Sequence, residues 1–428
     1  MSTKYKLVTY RWATGERFCH LLNQQTQLPH QASLLYVFLN LRNRGLSLSA
    51  MQASLNSIHV LLLHFESHGV DLDERFKRRQ YLDPMECQLI LRAAQVHLGL
   101  AEETSGKVSN VNEGKKGYRP PVRTVAGLTA YSRMTEMASY LKWLAIYWGG
   151  SFISTEQAAE IDGMYRNIRE LRPTVKVLKG SPDETTWSET NDAKLIDLVL
   201  PESPRNIFGE DMGTRKRNYL LIQLLRCLGK RRGEVLNIQR GDIKPQKNQL
   251  DIIRRPDAKE DTRIVQPKVK TREHTLAIDP ELTKLILDYM TYRREVPGAN
   301  KTPYLFVNHK AGPTQGKAMT VGALYEVFRT IKRADPSLKN LHPHLLRHNF
   351  NYQMSQTFDS SKGERNFDQE TKVRARANGW SPLSKMAEKY NERHTAEAGR
   401  ETGLDIQQKL LKVMQVDAGT TVKSDHNE

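Results

Sequence analysis

Three stretches in the C-terminal half of the sequence carry side chains suited to work on an anionic, phosphate-like group. The first, Gly229-Lys230-Arg231-Arg232-Gly233-Glu234, sets an arginine just past a glycine turn with a glutamate three residues on. At the start of a helix the guanidinium points outward, and a carboxylate one turn later can hold its planar fork in one orientation. The second stretch places His344 and Arg347 at i and i+3, so one helical face carries both. An imidazole beside a guanidinium suits phosphate binding coupled to proton transfer. His344 and His348 also stand at the i, i+4 spacing of metal ligands, but Arg347 would repel a cation and no other ligand cluster accompanies them. The third stretch sets Gly379-Trp380 ten residues before Tyr390, which is the last tyrosine of the chain. Taken singly, each has an ordinary explanation: a solvated basic turn, a surface helix, a half-buried packing tyrosine.

In combination the stretches resemble the tyrosine recombinase (phage-type integrase) family. Its pattern runs Gly-x-Arg-x-x-Glu, a hairpin Lys, His-x-x-Arg, Gly-His/Trp, and a Tyr near the C-terminus. This chain supplies Gly229-Lys-Arg231-x-x-Glu234, Lys270, His344-x-x-Arg347, Gly379-Trp380 and Tyr390, in that order. The resemblance spans about residues 190–415 and extends more weakly over about 31–170. The hairpin region Gln266-Pro-Lys268-Val-Lys270-Thr-Arg272 offers two lysines. Lys270 matches the family pattern better, because Lys-Thr stands just before the β run that ends Thr275–Ile278; Lys268 is the alternative. Two departures stand out. The interval from Arg347 to Trp380 is longer than usual, with a polar loop expected from about Phe358 to Thr371, and Asn349 replaces the usual small hydroxyl residue.

The resemblance implies a metal-free, ATP-free transesterification on DNA with no cofactor. Arg231 and Arg347 would fork onto the non-bridging oxygens of a scissile phosphate, with Glu234 behind them. Tyr390 would attack phosphorus and become joined to the 3′ phosphate. A phenol with its ordinary pKa near ~10 needs help to ionise, and His344 is the implied proton acceptor. Lys270 would protonate the departing 5′ oxygen, and Trp380 would donate its indole N–H where many relatives have His. No nucleotide loop competes with this reading: Gly312-x-x-x-Gly316-Lys317-Ala318 has the wrong spacing for a P-loop and lacks its Ser/Thr.

The chain that must position these groups has 428 residues and a formal net charge of +17. The excess is uneven: residues 1–200 carry a net +4, whereas residues 201–350, which hold most of the motifs, carry +13. That distribution favours a polyanionic partner. Three widely spaced cysteines, Cys19, Cys87 and Cys227, exclude a disulfide framework and a thiolate zinc site. No apolar run approaches the ~18 residues of a membrane span, and the first residues lack a signal-peptide core. A soluble protein of the cytoplasm, in a bacterial cell at the nucleoid, is expected.

Residues 1–30 show no clear periodicity and are given no role. Helices are expected from Leu34 to Arg44, behind a capping box Ser49-x-x-Gln52 through Leu55, Ile58, Leu62 and Phe65, and through Met134, Met137, Leu141, Leu144 and Trp148 to Gly149-Gly150. These helices fall within 31–170, with a polar insertion at 102–122, and the resemblance implies that this stretch is the family's helical core-binding domain. A Pro-, Gly- and Ser-rich linker at 171–190 follows, then a catalytic domain at 191–415 and a polar tail at 416–428. Within the catalytic domain, β runs are expected at Leu250–Arg254, Arg263–Val265 and His274–Ile278, an extended run at 304–307, and helices at Tyr219–Leu228, Pro280–Arg293 and Thr320–Arg333. The fold class expected is therefore mainly α with a small antiparallel β-sheet, and the resemblance implies its arrangement as a two-domain DNA clamp.

The resemblance further implies a homotetramer on two synapsed duplexes, a C-terminal segment 404–416 that docks on a neighbouring protomer, and accessory directionality or DNA-bending proteins. Two other functions share many of these features. A type IB topoisomerase uses the same chemistry without a site requirement, and a non-catalytic DNA-binding regulator could keep the fold alone.

Overall fold

The computed structural model describes residues 4–96, 124–174, 187–360, 367–381, 403–404 and 406–407. The insertion at 102–122, most of the linker, the polar tail, most of segment 404–416 and Tyr390 lie outside the described residues. The chain divides into two compact units, Met1–Leu178 and Lys179–Glu428. Among the described residues no helix is long and apolar enough to cross a membrane.

The first unit opens with an element not expected from the sequence, an antiparallel hairpin of β1 (Tyr5–Arg11) and β2 (Arg17–Asn23). Its alternation is hidden because Arg17, Phe18 and Cys19 are all buried in succession. Gly15, in the turn, has φ +98° and leaves its carbonyl to the Arg17 guanidinium at 2.8 Å. Then come α1 (Gln31–Tyr36), continued by a π-helical turn Val37–Arg42, and α2 (Leu48–Ser67). Gly45 and Gly69 take the left-handed conformation at the expected stops. The cap of α2 differs from expectation. Ser47, not Ser49, accepts the Ala50 N–H, and Gln52 instead donates to Thr9 Oγ1 at 2.9 Å, pinning the hairpin to the helix. A side-chain partner on another element has displaced the local box.

Next are α3 (Leu72–Lys77), α4 (Pro84–Gln95), α5 (Gly127–Gly149) and α6 (Thr155–Glu170). Asp83–Glu86 and Ser154–Gln157 form reciprocal capping boxes at the starts of α4 and α6. The helix α5 lies against α2, α4 and α6, and its Met134, Met137, Leu141 and Leu144 are fully buried. They meet Leu55, Ile58 and Leu61 of α2 in one apolar core.

The second unit begins with α7 (Glu189–Val199), capped by Ser188, and α8 (Met212–Leu228), capped by Asp211. The helix α8 is the spine, in contact with α10 (Pro280–Glu295) and α12 (Pro343–Ser360). Between them stand the four-residue α9 (Arg232–Val235) and a three-stranded antiparallel sheet in the order β3 (Ile243–Lys244), β4 (Gln249–Ile252), β5 (His274–Ala277). The unit also holds α11 (Val321–Ala334) and α13 (Phe367–Asn378).

Two expectations fail here. Arg263–Val265 forms no strand. The Arg263 guanidinium is buried, paired with Asp261 at 2.8 Å and donating to the Leu236 and Met319 carbonyls at 3.0 Å, so it staples three loops instead of joining the sheet. The polar stretch from Phe358 to Thr371 is shorter as a connection than expected. The helix α12 runs on to Ser360 and α13 starts at Phe367, leaving only 361–366 outside the described residues.

Candidate functional site

The site begins where α8 ends. Gly229 takes φ +57°, and a Cβ there would lie 2.3 Å from the Phe350 ring of α12. A glycine thus serves twice: it permits the left-handed turn and lets α12 approach. The next residues turn into α9, with Arg231 as its N-cap. Glu234, whose side chain is fully buried, accepts the Arg231 N–H at 2.9 Å through one oxygen and the Arg231 guanidinium at 3.1 Å through the other.

The same carboxylate reaches two further elements. Thr271 Oγ1 donates to Glu234 Oε1 at 3.1 Å, and Arg347 Nη1 stands 3.9 Å from Oε2 while donating to the Gly229 carbonyl at 2.6 Å. A buried carboxylate flanked by two guanidiniums is compensated, where an isolated one would carry a heavy desolvation cost. The two arginines are unequal. The Arg231 side chain is 25% exposed, whereas Arg347 is completely buried beneath Trp380, its guanidinium carbon 5.4 Å from the indole centroid.

His344 lies one turn before Arg347 on α12 and is exposed at the surface, its ring covered on one side. Its ring meets that of His348 edge-on at 4.3 Å between centroids. Partial burial of the imidazole, followed by the positive surroundings of His348, Arg347, His342 and Arg231, pushes its pKa down to about 4. At neutral pH it is therefore an uncharged imidazole, able to accept a proton.

The loop before β5 is docked onto α9. A Cβ on Gly233 would lie 2.4 Å from the Lys268 carbonyl oxygen, so only glycine lets the loop pass so close. That contact and the Thr271–Glu234 bond bring the Lys268–Lys270 stretch beside the arginine pair. Lys270 is exposed there, and Lys268 is half-buried.

Gly379 ends α13 with φ +66°, and a Cβ there would lie 2.4 Å from the His274 ring. The Gly379 carbonyl accepts the Arg272 N–H at 2.9 Å, and the Trp380 N–H closes back on Ala375 at 2.8 Å. Trp380 is buried against Arg347. Four of the residues singled out in the sequence, Arg231, Glu234, Arg347 and Trp380, thus form one chain of contacts. His344 shares α12 with Arg347, Lys270 rides on an adjoining loop, and Tyr390 lies outside the described residues.

Several neighbours gave no signal in the sequence. Lys230 is almost completely buried, and Thr271 and His274 close the same junction. Behind them, Asn351 and Asn378 exchange amide contacts between α12 and α13 at 2.9 and 3.5 Å. The fully buried Arg374 donates to the Asn351 carbonyl, Ser355 and Glu370 at 2.6 to 2.7 Å. A buried Lys or Arg reads as surface by type alone; only the placement of Asn351 one turn beyond Arg347 hinted that this face of α12 is inward.

Residues 206–359, which hold the first two stretches, match the model of the phage integrase family. This segment belongs to that family, the tyrosine-recombinase type. Solved structures also align with the chain. One is XerH site-specific recombinase bound to palindromic difH substrate in a post-cleavage complex, with 17% identity, 80% of this chain and 95% of that one covered, and a TM-score of 0.37. Another is XerA recombinase, with 17% identity, 62% and 82% coverage, and a TM-score of 0.33. A third is the Tn1549 transposon integrase with transposon right end DNA, with 12% identity, 65% and 88% coverage, and a TM-score of 0.36. The family assignment rests on the matched segment. Comparison with curated proteins by sequence gives no match.

Proposed function

We propose that this chain is a site-specific DNA recombinase, the integrase of a mobile element, cutting and rejoining DNA through a 3′-phosphotyrosine. The observation that carries the reading is the Glu234 carboxylate, which gathers Arg231 and Arg347 from separate elements within 3.9 Å. An ion-paired arginine cluster of this kind is preorganised for a phosphate whose charge grows in the transition state.

In the proposed step Tyr390 forms a bond to phosphorus and the bond to the 5′ oxygen breaks. His344, neutral at working pH, takes the phenol proton, and Lys270 gives a proton to the departing oxygen. Arg231 and Arg347 hold the non-bridging oxygens, and Trp380 adds its indole N–H. The bond energy stays in the phosphotyrosine, so reversal by a free 5′ hydroxyl rejoins DNA without ATP or metal. Double-stranded DNA carrying recombination sites is the partner, and four protomers on two duplexes are the working assembly. Affinity comes from many phosphate contacts and falls steeply with salt.

A nicked suicide substrate tests the reading, once a DNA site is identified from the ends of the element that encodes the chain. The wild-type protein should form a denaturant-stable covalent DNA complex, unaffected by chelator, and Tyr390→Phe should form none. Equal behaviour of the two proteins would overturn the proposal. Relaxation of plasmids lacking any site would reassign the chain to topoisomerase chemistry.

A further inference from the structure

Lys230, between the glycine turn and Arg231, is a buried lysine of the second unit that the reaction leaves unused. It is 1% exposed. Its ammonium donates to the Ala377 carbonyl at 2.7 Å and meets His274 Nε2 at 3.1 Å. The other ring nitrogen, Nδ1, lies 2.8 Å from the Arg272 carbonyl, where only a protonated nitrogen makes a bond. The neutral ring therefore carries its proton on Nδ1 and offers Nε2 as acceptor to Lys230. Burial, and then the nearby Arg347 and Arg231 against the opposing pull of Glu234, lower the lysine to about 7.

The geometry points to Lys230 as a positioning residue that fastens two segments onto the arginine turn, the loop 270–274 and the end of α13 at 377–380. Both segments carry groups the reaction uses, Lys270 on one and Trp380 on the other, and both meet at a single side chain. The contacts around it concur: the ring of His274 lies against Gly379, and the Arg272 N–H is bound to the Gly379 carbonyl. A lysine in this place spans the junction with one flexible stem and satisfies an acceptor on each side. An apolar residue of similar length would fill the space and leave the Ala377 carbonyl and His274 Nε2 without their donor. Trp380, which covers Arg347, is three residues past Ala377, so loosening that carbonyl frees the indole that closes the site.

The inference rests on the proposed recombinase reading for its catalytic consequence, but the fastening itself is measurable without it. The test compares Lys230→Met and His274→Gln with the wild-type full-length chain by amide hydrogen exchange and by single-turnover covalent-complex formation at saturating DNA. His274→Gln keeps an acceptor near the Nε2 position and serves as the conservative variant. In Lys230→Met, exchange should accelerate at Arg272 and Trp380 while α2 and α5 of the first unit stay as protected as before. The cleavage rate should fall about 10- to 100-fold, as for a small misplacement of reacting groups. DNA affinity should hold within about twofold, since phosphate contacts elsewhere supply it. His274→Gln should retain most of the rate.

Unchanged exchange at Arg272 and Trp380 would overturn the fastening, whatever the activity. Faster exchange with an unchanged cleavage rate would make Lys230 structural only and overturn its positioning role. If Lys230→Met does not fold, His274→Leu removes the acceptor while leaving the lysine its Ala377 contact, and the same two measurements decide. A wild-type chain that forms no covalent complex would sink the recombinase reading, and exchange alone would then decide whether Lys230 ties the segments.

Discussion

The two units bury different kinds of matter. Among the described residues of the first unit, Arg17 is the one arginine, lysine or carboxylate that is buried, and the core is built from Leu, Ile, Met and Phe. The second unit has an apolar core too, yet it also buries Lys230, Glu234, Asp242, Asp261, Arg263, Arg293, Arg347 and Arg374. Apolar packing has no direction; it specifies volume and proximity, and tolerates substitution that conserves volume. Buried ionic groups must be partnered at fixed distances and angles, which makes them poor contributors to stability and good at fixing geometry. One unit is built to hold together, and the other to hold particular atoms in place.

The largest expected effect lies in the ionic region. Arg231→Ala should lower the rate of covalent-complex formation by about 10²–10³, the usual loss for one preorganised donor. Binding of a labelled duplex by the same protein should weaken little. A near wild-type rate would break the comparison, because the ionic cluster would then be scaffolding like the rest.

An intermediate effect is expected in the apolar region. Leu141→Ala, at a fully buried position of α5, should cost about 2–5 kcal/mol, read from urea denaturation of the first unit. At temperatures well below melting its single-turnover rate should match wild type. A rate loss comparable to that of Arg231→Ala would erase the distinction between the units.

The smallest effect belongs to local structure. Asp83→Ala removes the side chain that accepts the Glu86 N–H in the α4 capping box and should cost about 1 kcal/mol. Denaturation midpoints of the two variants, set side by side, would sharpen how much of the first unit's stability is core and how much is helix ends.

Much of this was legible in the residues. The periodic runs around Leu55 and Leu141 became α2 and α5, and the left-handed glycines at 45, 69 and 229 stand at helix ends because no other residue takes that conformation cheaply. The family pattern located Arg231, Glu234, Arg347 and Trp380, which the fold joins. What stayed hidden depends on contacts distant in sequence. The hairpin at 5–23 lacks alternation because both its faces are covered around Phe18. The cap moved from Ser49 to Ser47 because Gln52 found Thr9. Arg263 looked like part of a β run until three loops claimed its guanidinium. Lys230 and Arg374 belong to the residue types most often found in water, and only the partners that surround them, Ala377, His274, Asn351 and Ser355, make them interior.

The clasp between α12 and α13 has a consequence for how the site can fail. Two helices joined by a greasy seam can creep past each other by a fraction of a turn with little penalty. Asn351 and Asn378 face each other as paired amides, and Arg374 spans Ser355 and the Asn351 carbonyl. Such a joint has one register, and a half-slipped version leaves several dipoles pointing at nothing. The helix with His344 and Arg347 and the one leading to Trp380 are therefore latched or unlatched, with no graded positions between. Warming or mutation should leave a population divided between intact and open sites, each intact molecule as well aligned as before.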